Sequence, residues 1–154
     1  MVFPVLALRP AHGLPIVAGV GTWMSGMWMS GKVMAARKQY GIKYPKLYAD
    51  SSDGDAGHKF NCVQRGHQNT LENLPWALAF CGVTSVFYPA TGAAFLGLWN
   101  FGKVFYMKGY STGDPDKRNS GASVISYIGL MGAIGTCCKL AYDLLTSPAA
   151  GVPF

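Results

Sequence analysis

Between Phe60 and Pro75 the chain reads "FNCVQRGHQNTLENLP". Six polar side chains, Gln64, Arg65, His67, Gln68, Asn69 and Glu72, stand directly before the apolar run "WALAFCGVTSVFY". On a helix, Arg65, Asn69, Glu72 and Trp76 share one face, with Asn61 and Gln68 beside it. Gln64, His67 and Leu71 form a neighbouring stripe. One cation, one amide and one anion in a row can hold a zwitterion. The plainer alternative is a polar helix end lying in a headgroup region. That accounts for Gln64 or His67 singly, but less well for an arginine and a glutamate two turns apart with an asparagine between them.

Two other segments bring similar groups. Tyr106 and Tyr110 are four residues apart and fall on one helix face, with Lys117 and Arg118 in the loop that follows. Arg37 and Lys38 close an earlier apolar segment. Tyrosines at a helix end also serve as interfacial anchors, and terminal basic residues also seat a helix in headgroups. Taken together, three helix ends supply Arg37, Arg65, Arg118, Glu72 and two tyrosines.

Composition places these ends in a membrane context. Half of the 154 residues are apolar and only 13% are charged, with a formal net charge of +6. A soluble domain carries roughly 25% charged residues. A nucleic-acid binder would interleave its basic residues with exposed aromatics; here the aromatics sit mainly inside apolar runs, so no nucleic-acid partner is expected. Cys62, Cys81, Cys137 and Cys138 do not form a disulfide framework, because three lie in apolar segments and two are adjacent. The stretch "DSSDGDAG" lacks the closing glutamate of a calcium loop. It reads as a solvated turn, and no metal site is expected. The N-terminal "MVFPVLALRPAHG" lacks the basic start of a signal peptide, so the first apolar segment is expected to remain in the mature protein.

A membrane-spanning helix needs about 20 mostly apolar residues. Four candidates follow at 14–36, 60–88, 91–110 and 121–146, within a single domain of 1–154. The expected fold is an all-α integral membrane protein, a bundle of four transmembrane helices. Gly21 and Ser25, Gly26 and Ser30, and the set Gly129, Gly132, Ala133 and Gly135 have the small-residue spacing that lets helices approach closely. The first and third connections are rich in Lys and Arg, whereas the second is little more than Pro89-Ala90. The positive-inside rule puts the first and third loops in the cytosol, and both termini on the other side.

A ligand for such a site would be small, with more than one carboxylate and an ammonium, held beside an apolar space for a lipophilic partner. Glutathione has these groups. Arginines would pair with its carboxylates, Glu72 with its amino group, and a cation near its sulfur would favour the thiolate. "FNCVQRGHQNTLE", "ARKQYGIKYPKLYA" and "GYSTGDPDKRNSGA" resemble, in this order, motifs of the MAPEG superfamily, the membrane-associated proteins of eicosanoid and glutathione metabolism. Within it they are similar to the type 3 microsomal glutathione transferase subgroup. The resemblance covers roughly residues 30–135.

The resemblance implies a four-helix protomer in a homotrimer, with glutathione as co-substrate at the seam between protomers. It implies conjugation of glutathione to lipophilic electrophiles and reduction of lipid hydroperoxides; some members make leukotriene C4. Carried over by residue, Arg37, Arg65, Asn69, Glu72, Tyr106, Tyr110 and Arg118 fall on glutathione-contacting positions. His67 falls where type 3 proteins have histidine. Asn73 stands where the leukotriene synthase branch has a contacting tyrosine. The thiolate-stabilising arginine falls on Arg118 if the loop carries one extra residue, and on Lys117 if it does not; the bidentate geometry of a guanidinium favours Arg118. Arg37 is the second catalytic candidate. The implied location is the endoplasmic reticulum membrane, with the nuclear and outer mitochondrial membranes as alternatives. A non-catalytic fatty-acid-binding scaffold is the competing function, and it would have no need of Arg118 beside Arg65, Glu72 and both tyrosines. A transporter would show discontinuous helices or repeats, which are not evident.

Overall fold

The structure is a computed structural model that describes residues 8–146. It contains four long helices, α1 (Gly13–Gln39), α2 (Gly54–Phe87), α3 (Pro89–Tyr110) and α4 (Ile125–Thr146). Short 3-10 turns at Pro10–His12, Ser51–Asp53, Pro115–Asn119 and Gly121–Val124 punctuate them. Among the described residues there is no strand, in keeping with the all-α expectation.

The boundaries depart from the sequence reading where a local signal outweighs hydropathy. The second helix starts at Gly54 rather than Phe60, because Gly54, at φ 57°, turns the chain out of the acidic turn and nothing in "DAGHK" breaks a helix. It also runs through Pro75. A proline there withdraws one amide from the ladder, the partner of the Leu71 carbonyl. The third helix takes Pro89 as its first residue, a position where the missing N–H costs nothing, so Tyr88 alone joins α2 to α3. The fourth begins as a 3-10 turn at Gly121–Val124 before becoming α-helical at Ile125.

Among the described residues one segment, Gly121–Thr146, is both long and apolar enough to cross a membrane, with mean hydropathy 1.5. α1, α2 and α3 have 27, 34 and 22 residues, and about 20 suffice for a span, but polar side chains interrupt their apolar character.

The interior holds two apolar clusters. Met29, Val33, Ala36, Ile42, Phe60, Val63 and Met107 pack where α1, α2 and α3 meet. Ala77, Cys81, Leu96, Trp99 and Ala133 pack α2, α3 and α4 at the other level. Gly129 permits the α3–α4 contact, since a Cβ there would lie 2.5 Å from the Phe95 carbonyl oxygen and 2.6 Å from the Trp99 nitrogen. The expected role of the other small residues is only partly met. Gly132 faces the Phe95 ring and Ala133 is buried, but Gly21, Gly26 and Gly135 meet nothing within 4 Å. Ser25 instead donates a hydrogen bond to Asn100 on α3. All four cysteines are free thiols.

The outer surface carries many large apolar side chains. Ile16, Val17, Trp23, Met24, Ile128 and Met131 are all more than half exposed. Contiguous apolar surface of this kind marks contact with lipid or with other protein.

The first loop is held by polar contacts as well as by the buried Ile42. Arg37 Nη1 donates to the Lys46 carbonyl at 2.8 Å and to the Ile42 carbonyl at 3.3 Å. Asn61 pinches the backbone of Ala49, accepting from its N–H at 2.7 Å and donating to its carbonyl at 3.0 Å. Lys46 pairs with Asp50 at 2.8 Å and with Asp53 at 3.1 Å, so the acidic turn is neutralised by its own loop. The Asp50 amide, and after it Lys46, hold the Asp53 carboxyl below its ordinary 3.8. A depressed carboxyl stabilises the loop above its ordinary pKa, and the contribution is lost as pH falls through the folded value. Protease cleavage of the first loop is therefore expected to accelerate below about pH 4 in the natural protein. Asp53→Asn is expected to be cleaved faster already at pH 7, with little further change on acidification; equal cleavage of the two proteins at pH 7 would remove Asp53 from this role.

Candidate functional site

The polar stripe of α2 is real, and α3 packs against it. Gly66 sets the approach: a Cβ there would lie 2.7 Å from Met107 Sδ and 3.3 Å from Tyr110 Cβ. With the helices this close, side chains one turn further along α2 reach α3 directly. Lys103 Nζ donates to Asn69 Oδ1 at 2.8 Å. The same ammonium lies 4.7 Å from the centre of the Tyr106 ring. Tyr106 in turn meets Tyr110 edge to face, with ring centres 5.2 Å apart. Asn69 is held from below as well, its carbonyl accepting from Asn73 Nδ2 at 2.8 Å.

Arg65 and Glu72 do not stand as two separate sockets. Arg65 Nη1 and Glu72 Oε1 are 2.7 Å apart, and both side chains are about two-fifths exposed. A zwitterion binding here would exchange its own ammonium and carboxylate into this ion pair. Surface pairs of this kind contribute roughly 0–1 kcal/mol, so the exchange meets little resistance.

Arg118 is anchored by its own loop. Its Nη1 donates to the Pro115 carbonyl at 2.7 Å and lies 3.6 Å from Asp116. Its backbone lies against the last turn of α3, where a Cβ on Gly109 would come 3.1 Å from Arg118 Cα. Lys117 turns to Asp114 at 3.7 Å and is more exposed than Arg118.

Arg37 and His67 belong to a different face. At about 100° of rotation per residue, His67 points roughly opposite to Arg65, Asn69 and Glu72 around α2. His67 lines a cavity of about 400 Å³ between α1 and α2, with Trp23, Gly26, Ser30, Leu71 and Leu78. Arg37 is buried against the Phe60 ring at 4.8 Å and the Tyr44 ring at 4.3 Å, and its Nε has no hydrogen-bond partner among the described residues. Within one protomer the expected set thus divides in two. Asn69, Tyr106 and Tyr110 meet around Lys103 between α2 and α3, with the Arg65–Glu72 pair beside Asn69 on the exposed flank and Arg118 in the loop after α3; Arg37 and His67 do not join them.

Sequence reasoning did not single out Lys103. It is only 7% exposed. The available signal was a lone lysine among "LWNFG" and "VFYM", since a charge inside an apolar helix is a functional residue by default.

The MAPEG family model matches residues 16–138. The match takes in most of the chain, and the protein belongs to the MAPEG family. It begins earlier than the resemblance carried by the three motifs, so most of α1 is part of the family pattern too. The family is membrane-associated and includes glutathione transferases, peroxidases and leukotriene synthases. Family members use glutathione, and among the described residues no group of three metal-ligating side chains is found.

The Gly66 contact generates a prediction. Overpacking a close contact costs roughly 1–3 kcal/mol. Gly66→Val is expected to lower the thermal midpoint in detergent and to weaken ligand binding at the Asn69 face. An unchanged midpoint would show that the two helices part there without cost.

Proposed function

We propose that the protein is a membrane-bound glutathione transferase that conjugates glutathione to lipophilic electrophiles and reduces lipid hydroperoxides with glutathione, with leukotriene C4 synthesis as a further activity of the same site. The observation that carries this reading is the meeting of Asn69, Tyr106 and Tyr110 between α2 and α3, with the Arg65–Glu72 pair beside Asn69 and Arg118 in the loop after α3. That set offers cations to the two carboxylates of glutathione, Glu72 to its ammonium, and polar hydroxyls to its peptide groups. Membership of a family that uses glutathione supports the same ligand.

The division of the site supports a homotrimer. Arg37 and His67 lie on the opposite face of α2 from the rest, so they complete a glutathione site only if a neighbouring protomer presents them. The exposed apolar faces of α1 and α4 are then shared between lipid and the adjoining copies. In this reading all four helices cross the membrane, the Lys- and Arg-rich first and third loops lie in the cytosol, and the protein resides in the endoplasmic reticulum membrane. Sealed microsomes test the orientation: cleavage at Lys46 and Lys117 is expected without opening the membrane, and protection of both would invert it.

Arg118 acts on the thiol. Its backbone lies against the last turn of α3 at Gly109, next to Tyr110, and its side chain is less exposed than that of Lys117, which is turned to Asp114. A cation beside the sulfur lowers a thiol pKa by about one to three units, each worth about 1.4 kcal/mol. Glutathione would bind as thiolate: at carbon it forms the thioether as the leaving group departs or an epoxide ring opens, and at a hydroperoxide it takes the terminal oxygen as the O–O bond breaks, releasing the alcohol and a sulfenic acid that a second glutathione converts to disulfide and water.

Two measurements test this. Arg65→Ala and Glu72→Ala are each expected to weaken glutathione binding by about tenfold, since each would lose a hydrogen bond to a charged group of the ligand, worth about 1.5–3 kcal/mol. Unchanged affinity by calorimetry in both, with the oligomer intact, would sink the binding assignment. Arg118→Ala is expected to lose turnover more than affinity and to regain activity as pH rises, with the thiolate absorbance of bound glutathione titrating at higher pH. If Lys117→Ala shifts that titration and Arg118→Ala does not, the cation at the sulfur is Lys117.

A further inference from the structure

Lys103 is a full charge inside the helix bundle with a single hydrogen-bond acceptor. Among the described residues, the Asn69 side-chain oxygen at 2.8 Å is the one acceptor against its ammonium. Its other close neighbours are the rings of Tyr106 and Trp99, at 4.7 and 6.0 Å. Burying an ammonium on such terms is strongly unfavourable. An apolar side chain of similar length would fill the space at less cost, so packing does not explain this lysine.

The chemistry of the contact does. An ammonium can only donate. It therefore fixes which way round the Asn69 amide stands, with the oxygen turned to Lys103 and the NH2 group turned away. No acceptor among the described residues lies against Asn69 Nδ2. Asn69 sits one turn of helix from both Arg65 and Glu72, in the middle of the stripe. We propose that Lys103 is a positioning residue of the glutathione site. It locks Asn69 as a hydrogen-bond donor, so that the ligand group opposite Asn69 must be an acceptor, a carboxylate or a peptide carbonyl. Without the lysine the amide is free to rotate, and half of its orientations present an oxygen to that acceptor.

This inference rests on the glutathione reading, and it makes a prediction that a merely structural lysine would not. The test uses the full chain in detergent, with reduced glutathione as the probe, read by calorimetry alongside the thermal midpoint. Lys103→Met is expected to weaken binding by about twofold, the factor set by freeing the amide to take either of two orientations, while the midpoint is held or raised because a buried charge has been removed. Lys103→Arg is expected to restore most of the affinity. Asn69→Asp is the sharper variant. It would pair with Lys103 more strongly yet offers no N–H, so it is expected to bind more weakly than the natural protein. The double variant Lys103→Met with Asn69→Ala is expected to bind no worse than Asn69→Ala alone.

Unchanged binding by Lys103→Met, or tighter binding by Asn69→Asp, would overturn this inference and leave the glutathione site standing. Weaker binding by Lys103→Met accompanied by a matching fall in midpoint would also overturn it, since the lysine would then be serving the fold. Absence of glutathione binding by the natural protein would overturn both.

Discussion

The approach of α2 to α3 at Gly66 is the constraint on which the polar end of the molecule depends. With no Cβ at that position, the α3 backbone at Met107 can lie against α2. Only at that separation does a lysine on α3 reach an asparagine on α2 within hydrogen-bonding distance. The tyrosines follow from the same register. Tyr106 lies under the Lys103 ammonium and Tyr110 meets its ring edge, so the α3 face opposite the stripe is aromatic and polar at once.

α2 is therefore asked to do two things on two faces. One flank carries the Arg65–Glu72 pair and Asn69; the other carries His67 and a row of leucines toward α1. Between them α2 feeds both interior clusters, through Phe60 and Val63 and through Ala77 and Cys81, and the interior stays small. Its two clusters are modest, while tryptophan, methionine and isoleucine side chains stand outward on α1 and α4. In water such a surface would drive aggregation; in lipid, or against further copies of the chain, it is the ordinary contact surface.

Much of this was legible in the sequence, because helical periodicity constrains which side chains can share a face. The stripe Arg65–Asn69–Glu72 and the pair Tyr106–Tyr110 needed nothing beyond 3.6 residues per turn. What periodicity does not carry is the phase between two helices. It cannot tell that Lys103, rather than a ligand, takes the Asn69 oxygen, or that Arg65 and Glu72 meet each other directly. Nor does it separate Arg37 from the other arginines. That division arises because Arg37 turns back to the carbonyls of its own loop. Boundaries failed for a related reason. Hydropathy marks where a helix becomes greasy, but Gly54 and Pro89 mark where the backbone can begin one. The small residues of α1 looked like a packing face, yet Gly21 and Gly26 face open space within the protomer. Spacing alone does not say whether the partner is the same chain.

The single residue between α2 and α3 has a consequence for how such a chain can vary. Tyr88 leaves the second helix and Pro89 opens the third with no slack between them. One residue inserted there would turn α3 by about 100° and advance it by about 1.5 Å relative to α2. Lys103, Tyr106 and Tyr110 would then all leave the polar stripe together. The opposite holds for the first loop, whose length is absorbed by side-chain ties rather than by helix register. Length changes accumulated over evolution are thus expected to fall in the segment 40–53 and to be excluded from the turn at Tyr88, even though that turn carries none of the residues proposed to bind glutathione.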